Sequence, residues 1–198
     1  MLTARMADPS PVELLLLFQR AQALFTDRVD AVDPDQWDEE ALPGWTVGDL
    51  VAHLINEQLW APSLLAGEPV TEGRVPDDTA TLLGDDPFTS WETAADGSLA
   101  AFAEDGALDR TVHLQRGPTP ARQYVLEMTS DLTVHAWDLA RATGEDTELD
   151  ADLVSAALVL ADQLPDDGVP GIFDPPLDVP AGASPQTRLL ARFGRKDG

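Results

Sequence analysis

PARQYVLEMTSDLTVHAWDLARATG, residues 120–144, is the stretch on which the fold turns. Its positions Tyr124, Met128, Leu132, His135, Leu139 and Ala142 recur at intervals of three and four. That period predicts one long amphipathic helix, opening near Pro120 and stopped by Gly144. Asp131 and His135 stand four residues apart on the edge of this stripe, so they share a face one turn apart.

The same period organises the rest of the chain. Leu14, Leu17, Phe18, Ala21, Leu24, Phe25 and Val29 predict a first helix over 12–32, ended by Asp33-Pro34. Thr46 opens a second helix, with Asp49 completing a capping box. It runs through Leu50, Leu54 and Trp60, with a kink expected near Pro62 and a stop at Gly67. Residues 68–86, rich in Asp, Thr, Gly and Pro, predict a long surface connection. A third helix is expected over 88–103, broken or weakened at Gly97, and a short strand over 110–114. A shorter helix follows over 151–164, then a loop over 165–185 and a short element over 188–193. The expectation is an all-α fold: a four-helix bundle with a long crossover and a small C-terminal extension. It forms a single domain over 1–198, with the bundle core in 10–144 and the extra helix, loop and C-terminal segment in 145–198.

Composition bounds the chemistry. The chain has 198 residues, 43% hydrophobic and 24% charged, which suits a globular protein able to bury a core without disulfides. Against 36 acidic residues stand 12 basic ones, a net charge of −24. Such a surface repels phosphate backbones and anionic lipid, which excludes nucleic acid and membrane as main partners. Adaptation to salt would produce the same excess of acid. No apolar run approaches the roughly 18 residues that cross a bilayer. The run at 14–18 follows Glu13 and leads into Gln19 and Arg20 without a cleavage site, so it does not read as a signal peptide. The expected location is the cytoplasm. Cysteine is absent. Any thiol chemistry must therefore use a thiol brought by a small molecule.

The only histidines are His53, His113 and His135. On the second helix Val47, Leu50, His53, Leu54, Glu57, Ala61 and Leu64 form one stripe, with His53 and Glu57 a turn apart. A carboxylate facing a bundle interior needs a partner. Arg141, six residues beyond His135, points elsewhere, which leaves an imidazole or a cation for Asp131. Two imidazoles and a carboxylate are a ligand set for zinc and other divalent ions, and bundles project such sets inward from facing helices. The competing reading makes each histidine a hydrogen-bonded boundary residue and Glu57 a surface acid, and spacing alone leaves both open. Within a metal site Glu57 is a candidate catalytic base, a fourth ligand or an acceptor for an imidazole N–H. His113 falls on a strand or loop. Trp45, Trp60 and Trp137 read as core or pocket-wall aromatics.

Residues 43–53, PGWTVGDLVAH, resemble the start of the metal-bearing helix of the DinB-like superfamily, in its mycothiol-dependent maleylpyruvate isomerase branch. Residues 131–144 resemble the second ligand helix of that branch. The tail ASPQTRLL, 183–190, is similar to the ending of a metal-binding subfamily within it. The resemblance implies a DinB-type bundle and a divalent metal, usually zinc, held by His53, Asp131 and His135. It implies a thiol cosubstrate, mycothiol above all, and a transferase or isomerase acting on a small electrophile. Two departures stand out. The isomerase pattern has Glu where this chain has Asp131, an arm shorter by about 1.5 Å, one carbon–carbon bond; a shifted metal or an intervening water is expected. The stretch after Gly144, much of it loop, is short for the isomerase's further C-terminal domain, which argues against maleylpyruvate as substrate.

The donor set suits Zn2+, and also Ni2+, Fe2+ or Mn2+. Two other functions stay open: metal-dependent hydrolysis of a small molecule without a thiol, and a non-catalytic metal-containing module for ligand binding or dimerisation. An apolar face left over from the bundle would pair two copies as a homodimer.

Overall fold

The structure, a computed structural model, describes residues 9–68, 70–71, 74–165, 168 and 175–197. Helix α1 (Pro11–Asp30) starts where local chemistry demands it. The Ser10 side chain accepts from the Glu13 N–H, Glu13 accepts from the Ser10 N–H, and Pro11 occupies the first turn. Helix α2 (Val47–Leu65) opens on the expected box between Thr46 and Asp49 and continues one turn past Pro62. After the short helix α3 (Thr79–Leu83), α4 (Pro87–Phe102) runs unbroken through Gly97, where weakening was expected. Helix α5 (Ala121–Thr143) ends at Gly144 in a left-handed conformation, the usual device for stopping a helix.

Helix α1 packs along α5 and α2 along α4, while α1 against α4 and α2 against α5 close a four-helix bundle. Its core is built from fully buried Phe18, Phe25, Leu50, Leu54, Trp91 and Phe102 together with Leu132 and Leu139 of α5. A buried polar cluster lies within it: the Gln22 amide donates to Gln58 Oε1 (3.0 Å) and to the Ala95 carbonyl (2.9 Å), and the Ser98 hydroxyl also donates to Gln58. The crossover from α2 to α4 is not plain loop: Asp78 caps α3, which rests on both helices.

Two antiparallel hairpins add to the helices. Strands β1 (Glu40–Leu42) and β2 (Trp45–Thr46) are joined by Pro43-Gly44, with Leu42 opposite Trp45. Gly44 has φ +81°, a value that favours glycine and that a Pro-Gly turn requires at its second residue. Strand β3 (Thr111–Leu114), foreseen from the sequence, pairs with β4 (Gly117–Pro120), which was not.

Helices α6 (Ala151–Ala161) and α7 (Pro185–Arg192) form the C-terminal extension. A second, smaller core joins Val134 and Trp137 of α5 to Val154 and Ala157 of α6 and Leu189 and Leu190 of α7. Helix α5 is thus buried on two sides, by the bundle and by the extension. The loop expected over 165–185 falls in part outside the described residues. Among those described, no helix is long and apolar enough to cross a membrane.

Candidate metal centre

The Pro43-Gly44 turn and the Thr46 cap set the start of α2, and His53 stands about two turns further in. From the facing helix α5 come Asp131 and His135. The three side chains offer ligand atoms that all lie within 4.8 Å of one another. His53 Nε2 is 3.5 Å from Asp131 Oδ2, and His135 Nε2 is 3.5 Å from Asp131 Oδ1. The two imidazole rings are 5.5 Å apart, inclined at 76°. The gaps exceed the roughly 2.7–3.2 Å of a direct hydrogen bond. They are close to the edge of a tetrahedron, about 3.3 Å, whose centre is a metal with ligands at about 2.0–2.1 Å. The two gaps end on different oxygens of Asp131, so the three donors, all within 4.8 Å of one another, form a cluster that could hold one divalent cation after drawing slightly together, and the shorter Asp131 still reaches it.

The site differs from expectation in its depth. It sits at the rim of the bundle, with side-chain exposures of 30% for His53, 42% for Asp131 and 11% for His135. A helical period identifies a face but not how far down the bundle a residue lies. Although burial opposes the charge on Asp131, His135 and then His53 hold its carboxyl below the ordinary value. Burial works against a charged His53 too, but Asp131 and then Glu57 carry it above its ordinary value.

Behind His135 lies a partner that the sequence reading missed. His135 Nδ1 is 2.9 Å from Oδ2 of Asp138, whose side chain is only 1% exposed. Arg195, beyond α7, donates to the same carboxylate through Nη2 (2.7 Å) and Nε (3.1 Å). Burial alone would raise the Asp138 carboxyl, but His135 and Arg195 keep it below its ordinary value. Asp138 could have been found at i+3 from His135. Nothing in the sequence pointed to Arg195.

Glu57 is half-buried beside the cluster but does not join the converging donors. Burial pushes its carboxyl up, the charge of Asp131 adds to this, and the two histidines oppose it. It makes no hydrogen bond among the described residues. Trp45, 39% exposed, meets the His53 ring edge-on with centroids 5.2 Å apart. A cavity of about 480 Å³ opens here, lined by Trp45, Asp49, His53, Asn56, Asp77 and Thr79. His113 is exposed on β3 and takes no part. Trp137 is buried in the second core, Trp60 packs against the bundle core, and the Arg141 guanidinium lies over the Trp137 ring.

Residues 18–140 match the family described as Mycothiol maleylpyruvate isomerase N-terminal domain. Two uncharacterized proteins of Mycobacterium tuberculosis, one from each of two strains, are each 30% identical over 191 residues, which cover 91% of this chain and 97% of theirs. The crystal structure of the mycothiol-dependent maleylpyruvate isomerase shares the fold with a TM-score of 0.65 and 20% identity, over 79% of this chain and 71% of that one. A histidine-to-alanine mutant of that isomerase gives the same TM-score, 0.65, at 18% identity. The bundle is thus similar to that of the isomerase, and the length of the family match decides the relationship: the chain belongs to the mycothiol maleylpyruvate isomerase N-terminal domain family.

Proposed function

We propose that this chain is a metal-dependent enzyme that uses a small-molecule thiol, mycothiol, to transfer to or isomerise a small electrophile. The observation that carries the proposal is the convergence of His53, Asp131 and His135, with 3.5 Å between each histidine and Asp131, at the edge of an open cavity that His53 lines. The names of the family and of the crystallised isomerase supply mycothiol, and a chain without cysteine needs a thiol from outside. Zinc suits the donor set best, and nickel, iron or manganese would also be accepted. Bound there, the ion supplies positive charge that favours the thiolate form of an incoming thiol.

The chain's own groups do the rest. His53 and His135 present nitrogen lone pairs from two helices, and Asp131 adds the negative charge that helps to hold a dication. Glu57, with a raised carboxyl pKa and no hydrogen bond to satisfy it, takes up the proton that the thiol gives up. The cavity falls within the roughly 300–1,000 Å³ of small-molecule sites. Its polar lining is largely committed: Asp49 accepts from Thr46 and Thr79, and Asn56 donates to the Pro76 carbonyl. The apolar lining is the exposed ring of Trp45 with Ala52 and Leu82.

Metal analysis of purified protein, followed by thiol turnover with a panel of electrophiles, tests this reading. About one divalent ion per chain is expected, the set of three ligands serving a single site. Removal of His53 and His135 should abolish uptake while the helical circular dichroism stays intact. Unchanged stoichiometry in the double alanine variant would overturn the site. Metal-dependent hydrolysis indifferent to thiol would overturn the chemistry.

A further inference from the structure

We infer that the end of the chain belongs to the metal centre: Arg195 acts through Asp138 as a positioning residue that fixes which nitrogen of His135 carries the proton. The inference rests on the proposed metal site and goes beyond it, since Arg195 hydrogen-bonds to Asp138 and, among the described residues, to none of the three ligand groups, its charge reaching Asp131 only from a distance.

The argument is one of donors and acceptors. Asp138 is buried, and both of its oxygens are in use: Oδ1 accepts from Arg195 Nε, and Oδ2 lies 2.7 Å from Arg195 Nη2 and 2.9 Å from His135 Nδ1. A guanidinium does not lose its proton in a protein. Gripped along one edge by Arg195, the carboxylate is an acceptor only, so the ring nitrogen that faces it must donate. His135 is then protonated at Nδ1, and its Nε2 lone pair is directed to the side where Asp131 stands at 3.5 Å. An imidazole in the other tautomer would put a proton where a cation must bind.

Arg195 is itself held in place. Its backbone N–H donates to the Leu190 carbonyl (2.9 Å), and its Nη1 donates to the Phe193 carbonyl (2.8 Å). Two residues on, Asp197 accepts from Gln186 Nε2 (3.2 Å) and Thr187 Oγ1 (2.7 Å), which ties the tail back to the start of α7. Buried Leu189 and Leu190 dock α7 in the second core. The extension therefore brings a rigid cation to the rear of a ligand that the bundle supplies.

The test uses two readouts on the full chain and the variants Arg195→Met, Arg195→Lys and Asp138→Asn. In metal-free, nitrogen-15-labelled protein, long-range proton–nitrogen spectra report the tautomer of His135. The Nδ1–H form is expected in the wild type, a shift toward Nε2–H in R195M, and partial return in R195K. Zinc affinity, measured by competition with a chromophoric chelator, should fall about 10- to 100-fold in R195M, the range that such supporting partners carry. R195K should recover part of that loss, and adding R195M to D138N should cost far less than R195M costs alone. A neutral wild-type His135 that carries its proton on Nε2 and none on Nδ1 would overturn the inference. So would an R195M protein of native circular dichroism with unchanged tautomer and affinity, or losses that simply add in the double variant. Should R195M fail to fold, R195K and the nearly isosteric D138N decide the matter by the same readouts. If the wild type takes up no zinc, the proposed metal function falls, while the tautomer in metal-free protein still decides the role of Arg195.

Discussion

His53 Nε2 and Asp131 Oδ2 face each other across 3.5 Å, linking α2 to α5 at the rim of the bundle. The same carboxylate serves His135 from its other oxygen, so one acid is shared by two imidazoles. Without a metal, a proton on His53 is the substitute cation, which is why that ring is harder to deprotonate than usual. Metal and proton therefore compete for one place.

The competition has a sign. The folded pKa of His53 lies above its ordinary value of 6.5. Below that folded value a metal must displace a proton, so zinc affinity should weaken as pH falls through it, and each binding event should release more protons at pH 6 than at pH 8. In metal-free protein the same ring contributes stability that is fully present below its unfolded pKa and is lost as pH rises through the folded one. Calorimetric titration in buffers of differing ionisation enthalpy measures the first effect, and thermal melts across the same range measure the second. Affinity indifferent to pH would contradict the arrangement.

Asp131 is the natural place to vary the site. Asp131→Glu adds one methylene to a side chain that is 42% exposed and has room to adjust, so metal binding should persist. Asp131→Ala removes one of the three converging donors and should weaken zinc by more than the about 100-fold that loss of a supporting group costs. Asp131→Asn keeps the shape without the charge and should fall between the two. Chelator competition ranks the three, and an alanine variant that binds as tightly as the glutamate variant would remove Asp131 from the ligand set.

Glu57 is held in a setting that favours its neutral form, through burial first and the charge of Asp131 second. A carboxyl with a raised folded pKa contributes stability below its unfolded pKa, and that contribution is lost as pH rises through the folded value. Glu57→Gln mimics the neutral form at every pH. The metal-free variant should therefore melt higher than wild type at pH 7 and approach it toward pH 4, while thiol turnover by the metal-loaded protein falls. A lower melting temperature at pH 7 would contradict this electrostatic account.

Much of the helical scaffold was legible because its signals are local. Ser10 with Glu13 and Thr46 with Asp49 mark helix starts by their own hydrogen bonds, and Gly144 marks an end by its left-handed backbone. The i, i+4 pairing of Asp131 with His135 needs only one helix, and meeting His53 needs only a bundle. Distant pairings left no such trace. Arg195 reaches Asp138 because α7 docks on a second core, and no period within 185–197 announces that contact. The hydrogen bonds among Gln22, Gln58 and Ser98 join three helices at polar positions that look like ordinary surface in a one-dimensional pattern. Burial within the C-terminal extension likewise depends on α5 presenting a second buried face, which a single apolar stripe does not reveal.

That buried cluster makes its own prediction. Gln58 accepts from Gln22 and Ser98 in a nearly dry site. Gln58→Leu would leave two donors with less to bind, at a cost of about 1–3 kcal/mol for an unsatisfied buried polar group. Urea unfolding should show the lower midpoint with an unchanged slope. Replacing Gln22 and Gln58 together by apolar residues should recover part of the loss, since removing both partners avoids the orphaned group. If the double variant is less stable than the sum of the single ones, hydrogen bonding is not what the cluster contributes.

The charge of −24 sets the response of the whole molecule to salt. Two effects oppose each other. Salt weakens exposed ion pairs such as Arg20 with Asp150 and Asp152, but such pairs are worth only about 0–1 kcal/mol each. Salt also screens the mutual repulsion of the acid excess, which acts over the whole compact surface. At about 0.01 M salt the screening length is about 30 Å, comparable to the molecule, and at about 1 M it is about 3 Å. Repulsion should dominate, so the melting temperature should rise with sodium chloride, by about 2–4 °C for each kcal/mol recovered in a chain of this size. Most of the rise should come below about 0.15 M, where the screening length has already shrunk to about 8 Å. A melting temperature that stays flat or falls over that interval would mean that the exposed pairs, and not the net charge, govern the electrostatics of this fold.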